Sequence, residues 1–132
     1  MTLVDTNVIL DILNADPRWS PWSAAQLSKA RRNGVVAINA IIYAELAVQP
    51  ESFAVLDEFL QDLQFDMPPL NKQAARLAGE AFGRYRQRKG QKTGVLPDFF
   101  IGAQAKAMGW DLLTRDVSRY ATYFPQVNLI CP

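Results

Sequence analysis

The chain has 132 residues, 14 Lys and Arg against 13 Asp and Glu, one Cys and no His. That length fits one domain with one core, and 49% apolar against 20% charged residues excludes a disordered or fibrous chain. Without His there is no imidazole base, no His-held zinc and no Ser-His or Cys-His pair, and the lone Cys131 excludes an internal disulfide or thiolate cluster.

Leu3-Val4 reads as a short buried strand ending at Asp5, followed by a helix from about Asn7 that Asp16-Pro17 stops. Ser20-Pro21 and Asn33-Gly34 bracket a helix over 21–32. Val35 to Ile38 is a second apolar strand, and Asn39 caps a helix over about 40–48 that Gln49-Pro50 ends. A helix over 51–64 follows, and Phe65 to Pro68 is expected at most as an edge strand because of its prolines. Asn71 opens the longest helix, to about 89, with Ala74, Leu77, Ala78, Ala81, Phe82 and Tyr85 on one face. Residues 90–96 are expected as a flexible loop, and Pro97-Asp98 starts a helix that Gly109 closes. Leu112 to Thr114 is a strand, 117–123 a short helix and Val127 to Ile130 a last strand.

Short strands without polar alternation, interleaved with helices, predict one doubly wound α/β domain over residues 1–132 with a covered parallel sheet. The Met1–Asp5 opening has no signal-peptide pattern, and no segment is apolar enough to span a bilayer, so a cytoplasmic protein without membrane contact is expected.

Ligand sites of open α/β sheets lie beyond the carboxyl ends of the strands. Asp5 and Asp116 follow predicted strands, Asp98 starts a helix, and Glu45 lies in the helix after the second strand. Each could instead serve the fold, Asp5, Asp98 or Asp116 as helix caps and Glu45 as the partner of an arginine. Acids inside apolar runs such as Leu3-Val4-Asp5 and Asp98-Phe99-Phe100 nevertheless need partners. Four of them at one sheet edge would repel, and with no His available oxygen-only ligation points to Mg²⁺ or Mn²⁺.

The runs Leu3-Val4-Asp5-Thr6-Asn7-Val8, Tyr43-Ala44-Glu45-Leu46, Leu96-Pro97-Asp98-Phe99 and Leu113-Thr114-Arg115-Asp116 resemble the PIN domain family, within it the VapC-type toxins. The resemblance covers essentially the whole chain. It implies a three-layer fold with about five parallel strands and a Mg²⁺-dependent endoribonuclease, Mn²⁺ being a possible substitute. Carried over by motif, Asp5, Glu45, Asp98 and Asp116 form the acidic cluster, with Asn7 and Thr114 as polar support. Asp5, Asp98 and Asp116 would hold the metal while Glu45 orients or deprotonates the water. Val117 to Tyr120 stand where some members carry a further acid, so the resemblance leaves the number of metal ions, one or two, open. The resemblance also implies a homodimer and a small antitoxin whose tail covers the acidic pocket. Trp19 and Trp22 suit either the core or such an interface.

The net charge of +1 does not point to a polyanionic partner, but its distribution does. Residues 72–92 hold Lys72, Arg76, Arg84, Arg86, Arg88, Lys89 and Lys92 against Glu80 alone, whereas 45–66 hold six acids and no base. Arg84, Arg86, Arg88, Lys89 and Lys92 are the candidate RNA contacts; an ordinary solvated helix end is the alternative. Two other functions compete. An aspartyl-nucleophile phosphohydrolase would want a second Asp where Asn7 stands, and a non-catalytic binding module would gain nothing from a negative pocket.

Overall fold

The computed structural model describes residues 1–88, 90, 91 and 94–132. In chain order the elements are β1 (Thr2–Val4), α1 (Thr6–Leu13), α2 (Ser20–Asn33), β2 (Val36–Ala37), α3 (Ala40–Leu46) and α4 (Phe53–Asp62). Then come α5 (Lys72–Gln87), α6 (Leu96–Met108), β3 (Asp111–Leu113), α7 (Ser118–Tyr123) and β4 (Leu129–Ile130). The strands form one parallel sheet in the order β2-β1-β3-β4.

Among the described residues four strands stand where about five were expected. The Phe65–Pro68 segment contributes only a parallel bridge, Ala37 to Asp66, on the outer side of β2. Asp66 exchanges backbone hydrogen bonds with Val36 and Ile38, and Pro68 and Pro69 then supply no donor to extend the ladder.

Several helix starts follow from side-chain caps. Asn39, Ser52 and Asn71 accept from the N–H groups of Ile42, Val55 and Ala74 at 2.9, 3.0 and 2.8 Å. Gly109 ends α6 in the left-handed region, at φ 66°. Two expected starts shift by one residue. Ser20 lies inside α2 and does not cap it; Asp16 instead accepts from the N–H groups of Arg18 and Trp19 just before the helix. α6 begins at Leu96, ahead of Pro97. Of the expected 90–96 loop, Lys92 and Thr93 lie outside the described residues.

Leu3, Val4, Leu112 and Leu113 are fully buried in the two central strands, each worth about 1.5–3 kcal/mol of transfer free energy. The central helix is α6, with Phe99 and the run Ile101 to Ala105 all buried. Buried Asn39 donates to Gln104 at 2.8 Å, and Gln104 donates to the Pro69 carbonyl at 3.2 Å, so the chain after β2 is tied to α6. Phe82, Tyr85, Phe99, Tyr123 and Phe124 join α5, α6 and α7 with ring centroids 5.1–6.2 Å apart. Gly102 lets the Phe124 ring approach α6 closely, since a Cβ there would sit 2.4 Å from the ring. Trp22 packs against the core edge. Among the described residues no helix is long and apolar enough to cross a membrane.

Candidate functional site

Register brings the first two site residues together. Val4 pairs with Leu113, so β1 and β3 end at the same level, with Asp5 and Thr114 side by side. The backbone N–H of Asp5 continues the ladder to the Leu113 carbonyl at 2.9 Å. Asp5 is 4% exposed and its carboxylate is surrounded by donors. Oδ1 accepts from the Thr6 N–H at 2.8 Å, as a helix cap does. Oδ2 accepts from the Thr114 hydroxyl at 2.7 Å, the Tyr120 hydroxyl at 3.1 Å and the Asn7 amide at 3.2 Å. The cap and the site reading of Asp5 therefore coexist, one oxygen serving each.

The supporting positions interlock. Asn7 also donates to the Thr114 hydroxyl at 3.3 Å and accepts from the Arg115 N–H at 3.1 Å. Thr114 is fully buried and accepts from the Asp116 N–H at 3.0 Å. Asp116 thus has its backbone fixed by the cluster while its side chain stays exposed. It caps no helix; the N-cap of α7 is Val117. Glu45 is half-buried on α3 and accepts from the Thr6 hydroxyl at 2.7 Å, not from an arginine. Asp98 lies in the first turn of α6, where Val95 holds the cap position, and it pairs with Arg119 at 2.5 Å.

Charge shows how close the acids stand. Burial lifts the Asp5 carboxyl from 3.8 to about 6 against the pull of its donors, with the nearby Asp98 charge adding to the rise. Burial also raises Glu45 and Asp98, and the Asp98 charge pushes Glu45 further. Asp98 is itself raised by Asp116 and drawn down by Arg119. Burial and the fields of Asp5, Asp98 and Asp116 push the Tyr120 hydroxyl well above the usual phenol range, so it remains a donor. Asp5, Glu45 and Asp116 are thus each coupled through charge to Asp98.

A raised carboxyl has a consequence for stability. The folded chain holds the Asp5 proton more tightly than the unfolded chain does, so this group favours folding below about pH 4. That contribution, about 3 kcal/mol at roughly 1.4 kcal/mol per unit, is lost as pH rises through about 6. Denaturant titrations in EDTA between pH 4 and 8 are expected to show this decline, and Asp5→Asn to flatten it. A wild-type profile as flat as that of the variant would refute the assignment.

The residue chemistry fits a hard divalent cation: only carboxylate oxygens are offered, and their crowding is relieved by positive charge. Among the described residues no three of these carboxylates already form a ligand sphere. Asp98 leans on Arg119, and Oδ2 of Asp5 is taken up by three donors.

Three site residues escaped the sequence reading. Thr6 sits between two recognised positions and orients Glu45. Tyr120, 1% exposed, lies four residues after Asp116, and no sequence motif singles it out. Nor does any motif single out Arg119.

The basic stretch reaches the same end of the molecule. Lys72, Arg76, Arg84, Arg86 and Arg88 are all exposed; Lys89 and Lys92 lie outside the described residues. The Arg86 guanidinium stands 6.0 Å from the Phe82 ring, and that of Arg88 5.6 Å from the ring of Tyr123 on α7, which also carries Arg119 and Tyr120. Trp19 is half-buried at the start of α2, between the guanidinium groups of Arg18 and Arg115 at 5.1 and 4.9 Å. On the Glu45 side, a groove of about 490 Å³ runs between α1, α3 and α4, with Leu10, Leu13, Leu46, Val48 and Val55 in its walls.

Among solved structures the fold is similar to VapBC2 from Rickettsia felis bound to a DNA fragment from its promoter. The TM-score is 0.76 at 20% identity, covering 98% of this chain and 97% of that one. It is similar also to FitAcB from Neisseria gonorrhoeae, with TM-score 0.71, 24% identity and coverage of 98% and 96%. A toxin-antitoxin complex from Klebsiella pneumoniae gives 0.66 and 23%, with coverage of 96% and 95%. Comparison with curated protein sequences finds no significant match. Identities this low speak for the fold alone; the sequence itself matches the PIN domain family model over residues 2–124, and the chain belongs to that family.

Proposed function

We propose that this chain is a Mg²⁺-dependent endoribonuclease, a VapC-type toxin held in check by a small antitoxin protein. The observation that carries the reading is that Asp5, Glu45 and Asp116 each interact through charge with Asp98, Asp5 and Asp116 lying just past β1 and β3, with three of the four carboxyls raised. Membership of the PIN family and the likeness to toxin-antitoxin structures support it.

In this reading Asp5, Asp98 and Asp116 hold the cation, with Mn²⁺ as a possible substitute. The bound ion would polarise the phosphodiester, acidify the attacking water and stabilise the leaving oxygen. Glu45, with its raised proton affinity and its Thr6 hydrogen bond, accepts the proton of the attacking water. Asn7, Thr114 and Tyr120 hold Asp5 in one orientation. The water oxygen bonds to phosphorus as the bond to the leaving ribose oxygen breaks, and neither a 2′-hydroxyl nor an imidazole takes part.

Incubating the purified chain with a panel of RNAs, with Mg²⁺ and with EDTA, tests the proposal. Cleavage that EDTA abolishes is expected; binding without cleavage across the panel would favour the non-catalytic module. The exposed Arg84, Arg86 and Arg88 are proposed to hold the RNA backbone. Arg86→Ala with Arg88→Ala is expected to lower the slope of log affinity against log salt by about 1.4, two single-strand phosphate contacts. An unchanged slope would return these arginines to ordinary solvated surface.

The groove beside Glu45, with Val48 and Val55 exposed in its walls, suits the apolar part of an antitoxin tail. A homodimer belongs to the same reading and is checked by light scattering.

A further inference from the structure

Two arginines four residues apart reach into this region, and their surroundings differ. Arg115 gives Nε and Nη2 to the two oxygens of Asp11 at 2.7 and 2.9 Å and stands over the Trp19 ring. Its planar fork is used as structural arginines use it. Arg119 touches Asp98 through Nη1 alone, and its Nε and Nη2 have no partner among the described residues. About a quarter of its side chain is open to solvent. It is also the cation paired with one of the four acids, and the carboxylate it holds is one of the three assigned to the metal.

An N–H on Oδ2 and a divalent cation cannot share the same lone pair, and two cations on one carboxylate repel. Displaced from Asp98, the guanidinium would remain on α7 with a free donor edge beside the acids where, in the reading above, a phosphodiester binds. Guanidinium forks bind phosphate well. We propose that Arg119 serves two partners in turn, neutralising Asp98 in the metal-free protein and binding the RNA phosphate once a divalent cation takes that carboxylate.

The inference rests on the metal-dependent reading above, and the experiment separates the two. Mn²⁺ binding to the RNA-free chain is followed by electron paramagnetic resonance for wild type, Arg119→Gln and Arg119→Lys, each first shown to be folded by its thermal melt. Removing a part-exposed competitor is expected to tighten Mn²⁺ about threefold to fivefold in Arg119→Gln, with Arg119→Lys between it and wild type. With Ca²⁺ present, binding of a short single-stranded RNA is expected to weaken in Arg119→Gln and its salt slope to fall by about 0.7, one phosphate contact. Mn²⁺ affinity equal to or below wild type, or an unchanged salt slope, would overturn the proposal while leaving the nuclease reading intact. A wild-type chain that binds no Mn²⁺ would sink both.

Discussion

Asp5→Asn is expected to lower Mg²⁺-stimulated RNA cleavage by about a hundredfold or more, with the melting temperature held within a few degrees. The substitution keeps size and shape. The oxygen that accepts the Thr6 N–H is retained, so the start of α1 is kept. At the other position an amide replaces Oδ2 among the donors Asn7, Thr114 and Tyr120. The two hydroxyls can turn to accept from it, whereas the Asn7 amide cannot, and that loss offsets the relief of a buried charge. What disappears is the anionic oxygen at the centre of the cluster. Gel-resolved cleavage with and without Mg²⁺, beside a thermal melt, reads both halves of the expectation. Activity within threefold of wild type would remove Asp5 from the site.

The second large effect lies outside the acidic cluster. Asp11 is 4% exposed and accepts from Ser23 at 2.7 Å as well as from both prongs of Arg115. Asp11→Ala leaves the Ser23 hydroxyl, fully buried, without its acceptor and Arg115 without its counter-charge. Breaking such a pair costs about 3–5 kcal/mol when both groups are buried. The Arg115 side chain is 28% exposed and can regain some water, so about 3 kcal/mol is expected, a fall of roughly 10 °C in Tm. The site is expected to suffer too, because Arg115 anchors the turn that presents Thr114 and Asp116 and its N–H meets Asn7. Arg115→Lys keeps the charge and loses the fork, and recovers only part of the stability. A melting temperature unchanged in Asp11→Ala would show the pair to be ornamental.

Much of the architecture was legible because it is written locally. Asn39 and Asn71 cap where the sequence says they cap, and Gly109 ends α6 as expected. The apolar runs at Leu3-Val4 and Leu112-Leu113 could only be buried strands. The four acids stood out because carboxylates among Val, Phe and Leu need a physical reason. Less legible was whatever depends on pairs distant in the chain. Asp11 and Arg115 are 104 residues apart, and neither announces the other. Tyr120 looks like any aromatic on an amphipathic helix until its hydroxyl is found 3.1 Å from Asp5. The family likeness implied about five strands, and Phe65–Pro68, read from its prolines as an edge strand at most, adds only the bridge at Asp66.

The pairing of β1 with β3 also governs when the site can exist. Thr114 meets Asp5 across 109 residues, and the strand that opens the chain has its central neighbour almost at the other end. A growing polypeptide emerges at about 5–20 residues per second, so the first strand waits roughly 5–20 s for its partner to be synthesised. Until then Asp5 has neither the Thr114 hydroxyl nor the Tyr120 hydroxyl beside it. A chain cut short before Thr114 lacks that hydroxyl beside Asp5 however well its earlier helices form. Such long-range closure also predicts slow folding for a chain of this size, with the site among the last parts to assemble.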